Sequence, residues 1–187
     1  MKLDQIFSKQ EIKDIAIAVI SLTIILAYPN FGNLFLVFIA VVFAFLLHEL
    51  AHKFAALKLH AQAFFKLWPE GLLLGFITLL IPFVRFVAPG AVVVYPYRYG
   101  RWGHRQRYLD SNEMGMIASV GPALNIFFAF VFGLFPGLAF VARINALLAL
   151  FNLLPINPLD GGKILHWQWW IWLFLLGLSL MALLVFI

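Results

Sequence analysis

Long apolar runs broken by short polar connections set the plan of this chain. The opening stretch, Met1 to Asp14, mixes Lys2, Lys9 and Lys13 with Asp4, Glu11 and Asp14 around Leu3, Ile6 and Phe7. That mixture predicts an amphipathic lead-in lying at a membrane surface. Ile15 to Tyr28 follows as an apolar run, short for a full span unless the lead-in extends it. After a turn at Pro29 to Asn33, Leu34 to Leu57 predicts a helix about 36 Å long at 1.5 Å per residue. Lys53 and Lys58 near its end are placed to snorkel to the interface.

Residues 59–108 are less regular. Ala61 to Trp68 alternates like a strand, Trp68 to Gly71 reads as a turn, and Ala91 to Tyr95 as a second strand. Between them Leu72 to Ala88 is strongly apolar but carries Gly75, Pro82 and Arg85, which favours a re-entrant or interfacial segment over a crossing. Arg98, Arg101, Arg105 and Arg107 then form a cationic loop with Tyr97, Tyr99, Trp102 and Tyr108. Met114 to Phe135 and Leu138 to Leu154 predict two helices joined by a tight turn at Pro136-Gly137. Ile164 to Ile187 predicts a last helix, entered through Trp167, Trp169, Trp170 and Trp172 at headgroup level. The expected fold is an all-α polytopic membrane protein of five to six transmembrane helices, with a short β-like hairpin or re-entrant segment. Residues 1–187 form one membrane-embedded domain: a lead-in at 1–14, a core at 34–163 holding an insertion at 59–113, and a C-terminal helix at 164–187.

Composition agrees with this plan. The chain has 187 residues, 64% hydrophobic and 11% charged, whereas a water-soluble domain carries about 25% charged residues. The formal charge of +5 sits in short connections, where Lys and Arg set membrane orientation, so nucleic acid is not an expected partner. Placing the N-terminus inside the cell puts Lys53, Lys58, Lys66, the arginine loop and Lys163 on the cytoplasmic side. A cleavable signal peptide is not expected, since no small-residue cleavage pattern follows the first apolar run. With no cysteine, disulfides and thiolate metal sites are excluded.

Inside the Leu34 to Leu57 run stands His48-Glu49-Leu50-Ala51-His52. On a helix the two histidines lie one turn apart on the same face and can reach one zinc ion, with Glu49 beside them as a general base. Three ionisable residues in a segment fit for hydrocarbon are costly enough to need a function. A catalytic zinc takes three protein ligands, and the candidates for the third are His60, His104, His166, Glu70 and Asp160. The first two lie in connecting loops and Glu70 in a turn. Asp160 closes an apolar helix on the same side as the histidines, and Gly161-Gly162 after it lets backbone come close. A helix-capping role for Asp160 fits its residue type equally well.

The H-E-x-x-H in a membrane helix, then Gly121-Pro122-Ala123-Leu124-Asn125, then the string from Asn152-Leu153-Leu154-Pro155 to Asn157-Pro158-Leu159-Asp160-Gly161-Gly162 resemble, in that order, the site-2 protease family of intramembrane zinc metalloproteases. The resemblance covers residues 34–163, and its N-x-x-P-x-x-P-x-D-G-G string is highly specific. It implies His48, His52 and Asp160 as ligands of one Zn2+ per chain and Glu49 as the base. It also implies Asn152 as the oxyanion stabiliser and Asn125 as a polar position lining the site. A helix-to-helix hydrogen bond is the other role open to either asparagine. The chain shows neither the PDZ nor the CBS domains of the family's larger members, so no regulation through them is expected.

The activity implied is hydrolysis of peptide bonds within or near transmembrane helices of membrane-protein substrates, as in regulated intramembrane proteolysis. The expected setting is a multi-pass protein of the cell membrane whose site opens towards the cytoplasm. A membrane zinc transporter or zinc-binding scaffold is the alternative, and it would leave Glu49 without a task. The histidines lie roughly 15 Å of helix from Lys58, a depth water can reach. Ala61 to Trp68 or Ala91 to Tyr95 can receive an unwound substrate by strand addition.

Overall fold

The computed structural model describes residues 6–81, 88–95, 97–100, 103–106 and 109–186, the two short stretches between 97 and 106 as backbone only. Pro82, Arg85, Arg101, Trp102, Arg107 and Tyr108, and the side chains of the remaining arginine-loop residues, lie outside the described residues.

Helix α1 (Lys9–Ala27) begins inside the polar lead-in, because the Ser8 hydroxyl accepts from the Glu11 N–H and caps it. The lead-in therefore extends the first apolar run. Helix α2 (Phe31–Lys58) starts in a 3₁₀ turn capped by Asn30 and stays helical for 28 residues, about 42 Å. It carries one π-helical stretch, Val42–Leu46, immediately before the histidine pair.

Strand β1 (Gln62–Leu67) leads into α3 (Pro69–Leu80), which opens where a turn was expected. Pro69 occupies the first helical turn, the place where its missing N–H costs nothing. At roughly 18 Å, α3 is shorter than the helix needed to cross a bilayer. Strand β2 (Gly90–Tyr95) then pairs antiparallel with β1, Phe65 facing Val92 and Ala63 facing Val94. The two strands expected from alternation thus form one sheet, with α3 between them in sequence. A separate hairpin joins β3 (Tyr97–Gly100) to β4 (Gly103–Gln106).

Helix α4 (Ser111–Gly133) starts from a capping box made by Asp110 and Glu113 and packs against four other helices. These are α2, α5 (Ala139–Asn152), α6 (Asp160–Trp167) and α7 (Trp169–Phe186). The last expected helix is in fact two, because Gln168 adopts an extended conformation between α6 and α7. Only Trp169 and Trp170 of the four tryptophans are well exposed. Trp167 packs on Gly115, and Trp172 donates to the Leu153 carbonyl at 2.7 Å.

Among the described residues, three helices are long and apolar enough to cross a membrane: α2, α4 and α7. Alanines such as Ala18, Ala40, Ala129, Ala142, Ala146 and Ala182 are wholly buried at helix contacts, while Phe35, Leu134 and Leu184 face outward. Lipid gives no hydrophobic drive to bury large side chains, so close approach of small ones holds such helices together. One core joins α1, α2 and β1 through Leu22, Val41, Phe45 and Phe65. A second joins α4 to α7 through Ala118, Ala149, Leu153 and Ile164. A cleft of about 430 Å³ opens between them, lined by Phe45 from the first and Ala118 from the second.

Candidate metal centre

Helices α2 and α4 run antiparallel in a register that repeats every turn. The Asn125 amide donates to the Ala44 carbonyl at 3.1 Å, Gly121 lies against His48 and His52, and the Ile117 carbonyl meets His52 Nδ1 at 2.7 Å. Gly121 is where backbone has to come closest. A Cβ there would lie 2.4 Å from His52 Nε2 and 2.7 Å from His48 Cε1, so only a hydrogen fits beside the imidazoles.

Asp160 arrives from the opposite end of the core. It is the first residue of α6, Leu159 holds the capping position, and no side chain caps that helix. The capping role open at the sequence level is therefore not the one Asp160 takes. Gly161 seats the turn: a Cβ there would meet the Leu153 carbonyl oxygen at 2.2 Å. The Asp160 carboxylate turns inward, with Oδ2 at 3.0 Å from His52 Nε2 and 3.4 Å from His48 Nε2. Its other oxygen, Oδ1, accepts from Lys163 Nζ at 3.3 Å.

The three groups offer donor atoms that all lie within 4.8 Å of one another, and all three residues are buried. Because His52 Nδ1 must be protonated to donate to the Ile117 carbonyl, Nε2 of the neutral ring is an acceptor. The Nε2 of neutral His52 and the Oδ2 of Asp160 then face each other as two acceptors, a contact made favourable by a cation between them, either a metal ion or a second proton on the ring. Two imidazoles and a carboxylate are also the ligand chemistry of a borderline divalent metal such as zinc. The residues fit a bound metal. Burial tends to raise the Asp160 pKa. When protons on the imidazoles rather than a metal face it, the charge of His52, then hydrogen bonds from both histidines, outweigh burial and hold the carboxyl below the usual range.

Glu49 stands beside this cluster, buried, its Oε2 accepting from the Val92 N–H of β2 at 2.7 Å. Glu49 and Asn152 both line the cleft with the three metal-site residues. The Asn152 amide donates to the Leu148 carbonyl one turn back. Asn125 does not line the cleft. It is completely buried at the α2–α4 contact, holding a carbonyl of the π-helical stretch. The other candidate ligands stay away. His60 is exposed at positive φ where α2 ends, Glu70 is exposed on α3, and exposed His166 binds the Gly162 carbonyl. The His104 side chain lies outside the described residues.

The structure corrects one residue reading and adds a second residue. Lys53 does not reach the interface; it is 1% exposed and ion-paired to Glu11, which is equally buried although it belongs to the polar lead-in. The available signal was the i, i+4 spacing that puts Lys53 on the same face of α2 as Glu49.

An apolar helical protein with two histidines and an aspartate converging in a cleft beside a glutamate has the make-up of a membrane metallopeptidase. The comparisons agree. The model of Peptidase family M50 matches residues 132–174, the segment that carries Asn152 and Asp160. A protein of Methanocaldococcus jannaschii with the provisional name zinc metalloprotease is 41% identical over 189 residues, covering 94% of this chain and 93% of its own. No solved structure matches. The chain belongs to peptidase family M50, the site-2 proteases.

Proposed function

We propose that the chain is an intramembrane zinc metalloprotease that cuts peptide bonds within or near the transmembrane helices of other membrane proteins. The observation that carries this reading is the convergence of His48, His52 and Asp160 beside Glu49 inside an apolar helical body. His48, His52 and Asp160 would hold the zinc. When bound, zinc polarises the scissile carbonyl and lowers the pKa of water beside it. Glu49 takes the proton of the attacking water and returns it to the leaving amine. The Asn152 amide nitrogen carries a second hydrogen, which is directed to the carbonyl oxygen as it gains charge.

A helical substrate hides its carbonyls, so the segment to be cut must unwind. Strand β2 is the better of the two candidate platforms. The outward groups of β1 at Phe65 and Ala63 are already taken by Glu11 and Lys53, whereas the outward edge of β2 runs past Glu49. An extended substrate pairing there is presented to the base. In the membrane, α1, α2, α4, α5 and α7 are five spans and α3 lies without crossing. With the N-terminus inside, the ends of α2 and α5 that carry the site then face the cytoplasm.

The test incubates detergent-solubilised protein with single-span helices, with and without a chelator, beside a Glu49→Gln variant. Cleavage that stops with chelator, returns with zinc and is lost in the variant supports the proposal. Cleavage that needs no metal and survives Glu49→Gln ends it.

A further inference from the structure

Among the described residues, the most deeply buried charges outside the metal centre are Glu11 and Lys53, each side chain 1% exposed. Catalysis as described makes no use of them. A buried ion pair is weak evidence for stability, because desolvating both charges offsets most of their attraction. Their hydrogen bonds point elsewhere. Glu11 Oε1 accepts from the Phe65 N–H at 2.9 Å, and Lys53 Nζ donates to the Ala63 carbonyl at 3.0 Å. Both partners lie on the outer edge of β1. The rings of Phe7 and Phe64 close over the ammonium at 4.6 and 5.4 Å.

The opposite edge of the same sheet is held by the catalytic helix too. Glu49 takes the Val92 N–H, and Val92 pairs with Phe65 in the ladder. Two residues one turn apart on α2, Glu49 and Lys53, therefore grip the two edges of one two-stranded sheet. The grips differ in what the reaction asks of them. Glu49 has to exchange its hydrogen bond for the proton of a water, and a substrate strand pairing on β2 needs the Val92 N–H for itself. The Lys53–Glu11 grip is on the other edge, neither residue lines the cleft, and the reaction asks nothing of it.

We propose that Glu11 and Lys53 are positioning residues for the peptidase reaction: they anchor the β1–β2 sheet by its far edge, so that β2 keeps its place over the site once Glu49 releases Val92. This rests on the proposed roles of Glu49 as base and β2 as substrate platform. It also gives the capped first turn of α1 a task, since Glu11 adds a hydrogen bond to the sheet beside the apolar packing of the rest of α1 on β1.

The test uses the zinc-loaded full chain in detergent and a double variant, Glu11→Leu with Lys53→Met, in which an apolar pair replaces the ions and the fold is expected to survive. Amide exchange at residues 62–67 and 90–95 should speed up on the order of thirtyfold, the scale for two lost hydrogen bonds. Exchange in α4 and the zinc content should stay at wild-type levels. On a single-span helix that the wild type cuts, KM should rise about tenfold with kcat changed less. The single variant Glu11→Gln, which keeps an oxygen for Phe65 and Lys53, should retain most of the wild-type KM. Sheet exchange and KM within twofold of wild type in the double variant would overturn the proposal. So would loss of zinc together with faster exchange in every helix, which would make the pair a general support of the fold. A Glu49→Gln arm separates the two levels: cleavage retained there sinks the hydrolase reading, whereas the exchange result bears on the anchor alone.

Discussion

Gly121→Ala tests the geometry of the metal centre with one methyl group. The added Cβ would stand 2.4 Å from His52 Nε2 and 2.6 Å from its Cε1, where ordinary contact begins at 3.4 Å. Something has to move by about 1 Å, and the choices are the α2–α4 contact or the imidazoles. Without zinc the rings are held by hydrogen bonds that can lengthen or exchange, whereas with zinc bound they must hold position, so the strain falls mainly on the bound state. Overpacking of this kind typically costs about 1–3 kcal/mol, which corresponds to about 5- to 150-fold weaker zinc binding. Competition against a chromophoric chelator measures this directly, with circular dichroism to show that the helices persist. Gly177→Ala is the control: it lies in α7 with nothing within 4 Å of its added carbon, and alanine favours a helix by about 0.5–1 kcal/mol over glycine. It should leave zinc affinity alone and raise thermal stability slightly. A folded Gly121→Ala protein that binds zinc within twofold of wild type would refute the assignment of this glycine to the metal centre.

Glu49→Gln should keep its zinc and lose about 10²–10⁴-fold in cleavage rate, the span of general base catalysis; metal content and single-turnover cleavage check both halves. Asn152→Ala should lower kcat by about 10²–10³-fold with KM little changed, if its amide meets the developing negative charge. A larger effect on KM would make it a binding residue instead. Asn125→Leu removes the donor to the Ala44 carbonyl inside the α2–α4 contact. It should cost about 1–3 kcal/mol of stability, read as a lower unfolding temperature in detergent, with zinc still bound below that temperature.

What the sequence made legible follows one physical rule: local spacing survives into the fold, while partners across the fold have to be found. The i, i+4 spacing of His48 and His52 and the two alternating strands are local, and all stand where that spacing puts them. Asp160 was one of five third-ligand candidates by residue type, and only the family resemblance selected it. The coordinates supply the reason, since the close seat of Gly161 on the end of α5 turns its neighbour inward. The burial of Lys53 was legible only in its i, i+4 spacing from Glu49, a signal that competing features hid. A lysine near a helix end reads as one that reaches the interface, and its carboxylate partner lies in a lead-in whose charges look solvated. The break at Gln168 was not legible, for no glycine or proline marks the end of a helix there.

The G-P-x-x-N element acquires a mechanical meaning from the α2–α4 register. The π-helical stretch loosens the backbone of α2 one turn before His48, and Asn125 supplies a donor to a carbonyl there. One turn along α4, Gly121 gives the room in which the imidazoles sit, and Pro122 beside it has no N–H to offer the Ala118 carbonyl, on a residue that lines the cleft. A further turn along, the Ile117 carbonyl fixes the tautomer of His52. The four-residue spacing of glycine and asparagine is thus the pitch of α4 matched against the pitch of α2. Each turn of one helix serves one turn of the other, which is why replacing Gly121 should disturb zinc and replacing Asn125 should disturb the helix contact.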